Sequence, residues 1–156
     1  MKITIVGCGN MGLIYARSFL KYNIVSKEDL LLVEKNEVRK DDLKKLDIGK
    51  VVVPDSTLIS DSDVIILSVK PQDFTELAAD LKKVLNAKTI LLSIMAGINI
   101  SFLQEKLQHQ KIVRAMPNSP VEIGMGITAY SISKSINIDE AHQVENLLAT
   151  TGRTLY

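Results

Sequence analysis

The feature that most constrains this chain is a glycine-rich segment that directly follows a short apolar run at its amino terminus. The apolar run ends at Val6, and the segment after it reads Gly7-Cys8-Gly9-Asn10-Met11-Gly12. In this GxGxxG spacing the first glycine permits a tight turn, the second lets a pyrophosphate approach the backbone, and the third lets a helix pack closely on the strand. The segment therefore predicts a strand, a turn and a helix whose first N–H groups are free to bind phosphate.

A carboxylate at the end of the second apolar run supports a dinucleotide site. Glu34 closes the run 29–33, about 20 residues beyond the glycines, where a carboxylate can accept hydrogen bonds from the ribose hydroxyls of adenosine. That position favours NAD(H). However, Lys35 follows immediately and Arg39 and Lys40 are near, so cations could instead hold the 2′-phosphate of NADP(H). The choice between NADPH and NADH stays open.

Short apolar runs alternate with amphipathic segments along the whole chain. The patterns predict strands at 2–6, 29–33, 50–53, 63–69, 89–93 and 112–116, and helices at 10–21, 74–85, 98–108 and 139–149. A seventh, antiparallel edge strand is expected within 121–131, and residues 154–156 resemble the start of another strand or a linker. The alternation predicts an α/β fold: a doubly wound, mostly parallel, Rossmann-type sheet with helices on both faces, forming one dinucleotide-binding domain over 1–156.

Composition excludes several other classes of protein. The chain has 156 residues, 19 basic and 18 acidic side chains and 4% aromatic residues, which argues against nucleic acid or an anionic membrane as a partner. Its single cysteine cannot form an internal disulfide, and no signal peptide or apolar run of about 18 residues is present. We expect a cytoplasmic protein.

The predicted strand ends carry polar and small residues, which a doubly wound sheet brings to one crevice. Beside the glycine loop and Glu34-Lys35, these are Ser68-Val69-Lys70-Pro71, Met95-Ala96-Gly97 and Met116-Pro117-Asn118. The sequence offers no histidine at a strand end, no paired carboxylates and no Cys/His cluster, so we assign no catalytic and no metal-binding residue. Hydride transfer to an iminium requires chiefly positioning, whereas a ketone would also require a general acid.

Several of these residues also have a purely structural interpretation. Cys8 is expected to be a small filler of the glycine loop, and Met95 and Met116 are expected in the core. His109 and His142 are expected on the surface, and Phe102 is expected to face inward from its helix. Lys70 could contact ribose or phosphate or simply precede a turn, and Asn118 could face a ligand or only shape its loop.

Four segments together resemble the amino-terminal domain of the pyrroline-5-carboxylate reductases. They cover nearly the whole chain, and the VKPQ and MPNSP pieces are much more specific than the glycine loop. In order, the segments are IVGCGNMG (5–12), DVIILSVKPQ (63–72), SIMAGI (93–98) and RAMPNSP (114–120) leading to Gly124-Met125-Gly126. The resemblance implies NAD(P)H-dependent reduction of 1-pyrroline-5-carboxylate to L-proline, the last step of proline biosynthesis, with this chain as the cofactor domain.

The resemblance also implies a set of cofactor contacts. The glycine loop would hold the pyrophosphate, Lys70-Pro71 and Met95 to Gly97 would line the nicotinamide side, and Asn118 would close the pocket near the imino-acid substrate. The family often has an Asn-Arg pair where this chain has Glu34-Lys35. It also often has an Asn at the place that Asp55 or Ser56 occupies here. A carboxy-terminal helical domain, which makes the family's homodimer, lies outside this sequence. The full set of implied cofactor-binding residues is Val6, Gly7, Cys8, Gly9, Asn10, Met11, Gly12, Glu34, Lys35, Ser56, Ser68, Val69, Lys70, Pro71, Met95, Ala96, Gly97 and Asn118.

Two alternatives remain at this stage. The chain could belong to another imine or hydroxyacid dehydrogenase with a related domain. It could also be a module that binds NAD(P) as a sensor without catalysis, since a fold alone does not define an activity.

Overall fold

A computed structural model describes residues 1–156 except for the side chain of Ser119. Its strands are β1 Ile3–Val6, β2 Leu30–Val33, β3 Lys50–Val52, β4 Val64–Leu67, β5 Ile90–Ser93, β6 Ile112–Pro117, β7 Gly126–Ile132 and β8 Gly152–Leu155. Its α-helices are α1 Asn10–Lys21, α2 Glu37–Leu46, α3 Pro71–Val84, α4 Ile100–Leu107 and α5 Ile138–Ala149. Three short 3₁₀ helices cover Lys27–Asp29, Thr57–Asp61 and Ser119–Ile123.

The strands form one sheet in the order β3-β2-β1-β4-β5-β6-β7-β8. The pairs from β3 through β6 are parallel, β7 runs antiparallel to β6, and β8 runs parallel to β7. Because β2 and β4 flank β1 on opposite sides, the chain changes direction across the sheet at β1, and ligands of such sheets bind beside the carboxyl ends of the strands at that point. The predicted doubly wound fold is confirmed.

Two hydrophobic cores lie on opposite faces of the sheet. One contains Phe19 of α1 and Leu147 of α5 packed with β1 residues such as Ile3 and Ile5. The other contains Phe74 and Leu81 of α3 and Leu103 of α4, packed with strand residues of the other pleat direction. Successive strand side chains point to opposite faces, so a strand buried on both sides is largely apolar. β4 is apolar at all four positions, and β1 carries one polar residue, Thr4, whose hydroxyl is hydrogen-bonded to that of Ser62.

The five α-helices fall into two groups, according to whether a side chain caps their first turn. Asn36, Asn99 and Asn137 each accept a hydrogen bond from a first-turn N–H through the side chain, which caps α2, α4 and α5 and satisfies otherwise unpaired donors. In contrast, Gly9 and Lys70 precede α1 and α3 without a side-chain cap bond. These two helices begin at the carboxyl ends of β1 and β4, so their free N–H groups face the region where a ligand is expected.

The carboxy-terminal third differs from the sequence prediction in one respect. The segment predicted within 121–131 forms β7 over Gly126–Ile132, antiparallel as expected, but β8 pairs with its outer side, so β7 is not an edge strand. The strand or linker expected at 154–156 is a strand, β8, and it begins two residues earlier, at Gly152. Gly152 has a φ of 143°, a backbone conformation that glycine adopts without strain.

Two apolar side chains predicted to be inward are on the surface. Phe102 is 37% exposed and Met116 is 42% exposed. Phe102 stays in contact with the ring of Phe74, which places it at the margin of the core. Met116 lies toward the carboxyl end of β6, where burial along the strand decreases, so its place in a strand did not determine its burial. Met95, in contrast, is 2% exposed as predicted.

His109 is buried, so the expectation of a surface histidine was wrong. It follows α4, where Gln108 takes a left-handed conformation that turns the chain inward. The Nε2 atom of His109 lies 2.6 Å from the carbonyl oxygen of Thr89. Because a carbonyl only accepts, Nε2 carries the proton, and burial lowers the pKa of the imidazole. His142 is exposed, as expected.

The buried imidazole predicts a loss of stability in mild acid. Above the unfolded-state pKa of about 6.5, His109 is neutral in both states, and its contribution is complete. As the pH falls below that value, the unfolded chain binds a proton that the folded chain resists, so the free energy of unfolding decreases by at most about 1.4 kcal/mol per pH unit. Urea titrations between pH 7.5 and 5 should show this decrease, and His109→Gln should reduce it. His142→Gln is the control, and an equal pH dependence in all three proteins would contradict the prediction.

Candidate dinucleotide-binding site

A cleft of about 250 Å³ opens at the carboxyl ends of the central strands. It lies over the ends of β1, β2 and β4, between the loop that leads into α1 and the first three turns of α3. Its lining includes nine of the residues that the sequence singled out, namely Val6, Gly7, Cys8, Gly9, Glu34, Lys35, Ser68, Val69 and Lys70. The structure therefore brings the glycine loop, the end of β2 and the end of β4 into one cavity.

The three glycines of the loop meet different surroundings. A Cβ on Gly7 would lie 2.6 Å from the backbone nitrogen of Val69, and Gly7 has a φ of 95°. A Cβ on Gly12 would collide with the carbonyl oxygen of Gly7 and would lie 2.8 Å from Ser68 Oγ. A Cβ on Gly9 would meet no atom within 4 Å. Gly7 and Gly12 are thus required by the fold, whereas the missing side chain of Gly9 leaves space in front of the backbone.

Ser68 fastens the glycine loop to the end of β4. Its hydroxyl donates to the carbonyl oxygen of Gly7 at 2.5 Å and lies 3.2 Å from that of Val6. The sequence proposed Ser68 as a cofactor contact, and its hydroxyl proton is engaged with the loop. Ser68 therefore shapes the cavity wall through the position of Gly7.

Removing this hydroxyl should weaken the fold by a measurable amount. We expect Ser68→Ala to lower the free energy of unfolding by about 1 kcal/mol, because a partly buried carbonyl loses its donor. Chemical denaturation of the purified chain measures the change. Ser131→Ala removes an exposed hydroxyl from β7 and should change stability by less than about 0.5 kcal/mol. Equal losses in the two variants would contradict the role given to Ser68.

Cys8 is a buried thiol beneath the cleft. Its side chain is 5% exposed and its Sγ lies 3.8 Å from the carbonyl oxygen of Ile5 and 3.9 Å from that of Val33. Burial, together with the negative charge of Glu34, raises the pKa of the thiol from 9.0 to about 12. A thiol with such a pKa stays protonated at neutral pH and is a poor nucleophile, which agrees with the interpretation of Cys8 as a filler.

Glu34 and the cations around it form the side of the cleft below β2. One carboxylate oxygen of Glu34 accepts from the backbone N–H groups of Lys35 at 2.9 Å and Asn36 at 3.0 Å. The other lies 3.3 Å from Arg39 Nε. Lys35 Nζ reaches across the cleft to Glu76 of α3 at 2.9 Å, and this contact raises the pKa of the lysine. Of the three predicted cations, Lys35 and Arg39 are thus paired with carboxylates of the cleft, and Lys40 is paired with Glu37 of α2.

The remaining predicted site residues lie outside this cleft. Asn10, Met11 and Gly12 belong to the first turn of α1. The hydroxyl of Ser56 caps the 3₁₀ helix Thr57–Asp61 by accepting from Leu58 N–H. Ala96 and Gly97 are exposed on the loop after β5, and Pro71 and Gly97 line a separate shallow hollow with Asn99 and Phe102.

Asn118 mainly shapes its own loop. Its Oδ1 accepts from the backbone N–H of Ile127 at 2.8 Å, and its backbone N–H donates to the carbonyl oxygen of Ile127 at 3.3 Å. These two bonds hold the segment after β6 against β7. Asn118 does not line the main cleft, so the structure gives its loop-shaping role direct support and leaves the ligand-facing role as a prediction.

The sequence reasoning missed one wall of the cleft. Four residues of α3 face the cavity at helical spacing. Two further lining residues are Val33, the last residue of β2, and Pro54, which follows β3. The missed residues are Val33, Pro54, Asp73, Glu76, Leu77 and Asp80. The i, i+3, i+4, i+7 spacing of the four α3 residues places them on one helical face, so this wall could have been found from the position of the helix relative to β4.

The described residues contain neither a cluster of metal-ligating side chains nor a membrane-spanning helix. Over the described side chains, no three His, Cys, Asp or Glu residues gather as ligands for a metal ion. None of the described helices combines the length and the apolar character needed to cross a membrane.

The fold and the cleft define a dinucleotide-binding domain of the Rossmann type. The strand order around β1, the glycine loop before α1 and the carboxylate after β2 are its characteristic elements. Residues 2–97 match the family described as NADP oxidoreductase, coenzyme F420-dependent, and the chain belongs to that family.

Individual relatives confirm the resemblance noted from the sequence. The chain is 36% identical to a pyrroline-5-carboxylate reductase of Aquifex aeolicus, covering 100% of this chain and 57% of the relative. It is 29% identical to pyrroline-5-carboxylate reductase 1 of Bacillus subtilis, over 97% of this chain and 52% of the relative. Among solved structures, the Plasmodium falciparum pyrroline carboxylate reductase with NADP bound superposes with a TM-score of 0.82 at 26% identity, over 99% of this chain and 56% of that one. The chain thus spans little more than half the length of these relatives.

Proposed function

We propose that this chain is the cofactor domain of a pyrroline-5-carboxylate reductase that reduces a cyclic imine to L-proline with NADPH or NADH. The observation that carries the proposal is the open space at Gly9, where an added Cβ would meet no atom within 4 Å. That space lies before the uncapped start of α1, where backbone N–H groups and the helix dipole favour a phosphate. The residues present therefore fit a dinucleotide.

Each part of the cleft has a defined task in this proposal. The loop from Gly7 to Gly9 and the first turn of α1 hold the pyrophosphate. Glu34 stands where the adenosine ribose would lie, and the aliphatic side chain of Leu77 offers an apolar contact for the adenine. Val69 and Lys70 at the end of β4 lead toward Pro71 and Gly97, which the resemblance assigns to the nicotinamide side.

The reduction itself asks little acid–base chemistry of this domain. A bound nicotinamide supplies a hydride, and a protonated imine is already a strong electrophile, so the protein chiefly positions the two against each other. The relatives' additional length would supply the imino-acid contacts, and Asn118 would close the pocket from this side. We propose no catalytic side chain within the domain.

The proposal extends to the whole protein's assembly and location. We infer that the longer protein is a homodimer or higher homo-oligomer, formed through the helical domain that the reductase family carries after this one. It acts in the cytoplasm on a small imino acid. In this proposal residues 1–156 form the dinucleotide-binding unit.

A domain that only senses NAD(P) is the alternative from another class, since the same cleft would serve it. The longer chain distinguishes the two. Its purified form should oxidise NADH or NADPH when 1-pyrroline-5-carboxylate is added. The loss of reduced-nicotinamide absorbance at about 340 nm measures the oxidation, and L-proline should be identified as the product. Binding of a dinucleotide without any imine-dependent oxidation would overturn the reductase and leave the sensor.

A further inference from the structure

Glu34 is held in one position by three separate donors. Its side chain is 11% exposed, and its bonds to two backbone N–H groups fix one oxygen at the end of β2. Arg39 Nε holds the other oxygen at 3.3 Å. A carboxylate offers about four acceptor positions, so at least one remains for a ribose hydroxyl. The arrangement therefore presents a fixed, partly free acceptor to the cleft.

The cations that could bind a 2′-phosphate are already engaged. Arg39 lies against Glu34, and Lys35 lies 2.9 Å from Glu76. Arg39 contacts Glu34 through Nε, so a 2′-phosphate bound by its remaining N–H groups would lie beside the Glu34 carboxylate. Two backbone amides keep that carboxylate in place, and like charges so placed repel strongly.

The charge of the whole cleft acts in the same direction. Three acidic residues of α3 line the wall opposite β2, so the lining holds four carboxylates, including Glu34, against the three cations Lys35, Arg39 and Lys70. A phosphate monoester adds a charge of about −1.5 to −2 at neutral pH. A ribose hydroxyl adds none and can donate to a carboxylate.

We propose that Glu34, held by Arg39 and the two backbone amides, makes this cleft select NADH over NADPH. The inference rests on the proposed dinucleotide function and adds the identity of the cofactor to it. In this chain Arg39 is a positioning residue for Glu34, and Lys35 spans the cleft to α3.

The test is a pair of titrations of the purified 156-residue chain, one with NADH and one with NADPH, followed by nicotinamide fluorescence. We expect NADH to bind at least about tenfold more tightly, which corresponds to about 1.4 kcal/mol. Glu34→Gln keeps the size and an acceptor oxygen but removes the charge, so it should weaken NADH binding, strengthen NADPH binding and bring the ratio close to one.

Two further variants identify the cause. In Glu34→Gln the freed Arg39 can pair with the 2′-phosphate, so the double variant with Arg39→Gln should lose the gain in NADPH affinity. Asp41→Asn removes an equal charge from α2, but Asp41 lies outside the cleft lining and contacts Lys44. It should leave the ratio unchanged.

The outcomes separate this inference from the function beneath it. Equal or tighter binding of NADPH by the unaltered chain would overturn the selection of NADH while supporting a dinucleotide site. A ratio that shifts as much in Asp41→Asn as in Glu34→Gln would overturn the role of Glu34. Binding of neither nucleotide to a chain with native circular dichroism would overturn the proposed dinucleotide site itself.

Discussion

The Gly9→Val variant is expected to fold and to lose dinucleotide binding. Gly9 has φ −78° and ψ −163°, a conformation that valine adopts without strain, and its Cβ would extend into space that holds no protein atom within 4 Å. The added methyl groups would occupy the position of the pyrophosphate. We expect affinity to fall at least about 100-fold, corresponding to about 2.8 kcal/mol, measured by titration with NADH and with NADPH.

Stability measurements on the same variant separate binding from folding. Gly9 is the N-cap of α1, and replacing a favourable N-cap residue costs up to about 1 kcal/mol. Ala129→Val also introduces a valine, at an exposed position of β7 outside the cleft lining, and should bind as the unaltered chain does. Unchanged affinity in Gly9→Val would refute the placement of the pyrophosphate.

The Gly12→Ala variant should show the opposite behaviour and lose stability. Its new methyl group would collide with the carbonyl oxygen of Gly7, lie 2.8 Å from Ser68 Oγ and lie 3.1 Å from a methyl group of Ile5. An alanine in a helix gains up to about 1 kcal/mol over glycine, whereas overpacking against backbone costs about 1–3 kcal/mol or more. Because the backbone of the loop is itself tied to Ser68, we expect a net loss of at least about 2 kcal/mol.

Gly9→Ala is the matched control for this prediction. It adds the same methyl group three residues earlier, where nothing opposes it, so its stability should stay within about 1 kcal/mol of the unaltered chain. Denaturant unfolding of both variants gives the comparison, with the slope checked for a constant unfolded state. Similar stabilities in Gly12→Ala and Gly9→Ala would show that α1 does not pack on the glycine loop as described.

Local chemistry made much of the fold predictable. The apolar runs that form β1, β4 and β5 are buried on both faces, and such strands differ from helices in length and in β-branched content. The glycine spacing placed α1 correctly at Asn10. The start of α3 was placed three residues late, because Pro71 occupies a first-turn position in which its missing N–H costs nothing.

Features that depend on distant neighbours escaped the sequence. The surroundings of His109 include Thr89, and Met116 lies toward the exposed end of β6. β7 became an interior strand only because β8 pairs beside it. None of these facts is encoded in the hydrophobic period of a single segment.

The candidate site was predictable where the residues stand at strand ends. Glu34 and Lys70 lie in the cleft because parallel strands end on one edge of the sheet. The acidic wall from Asp73 to Asp80 required the orientation of α3 relative to β4. That the cations Lys35 and Arg39 are paired with carboxylates is likewise a property of side-chain placement that sequence proximity did not reveal.

The position of β1 in the middle of the parallel strands also has a consequence for synthesis on the ribosome. β1 is made before either of its neighbours, and its second neighbour, β4, begins only at Val64. The four buried residues of β1 therefore have no strand partner on one side until β4 has been translated. Parallel pairings of this kind join distant parts of a chain and form slowly. The nascent amino terminus therefore exposes an apolar strand edge for a time, and chaperone contacts during elongation would be concentrated there.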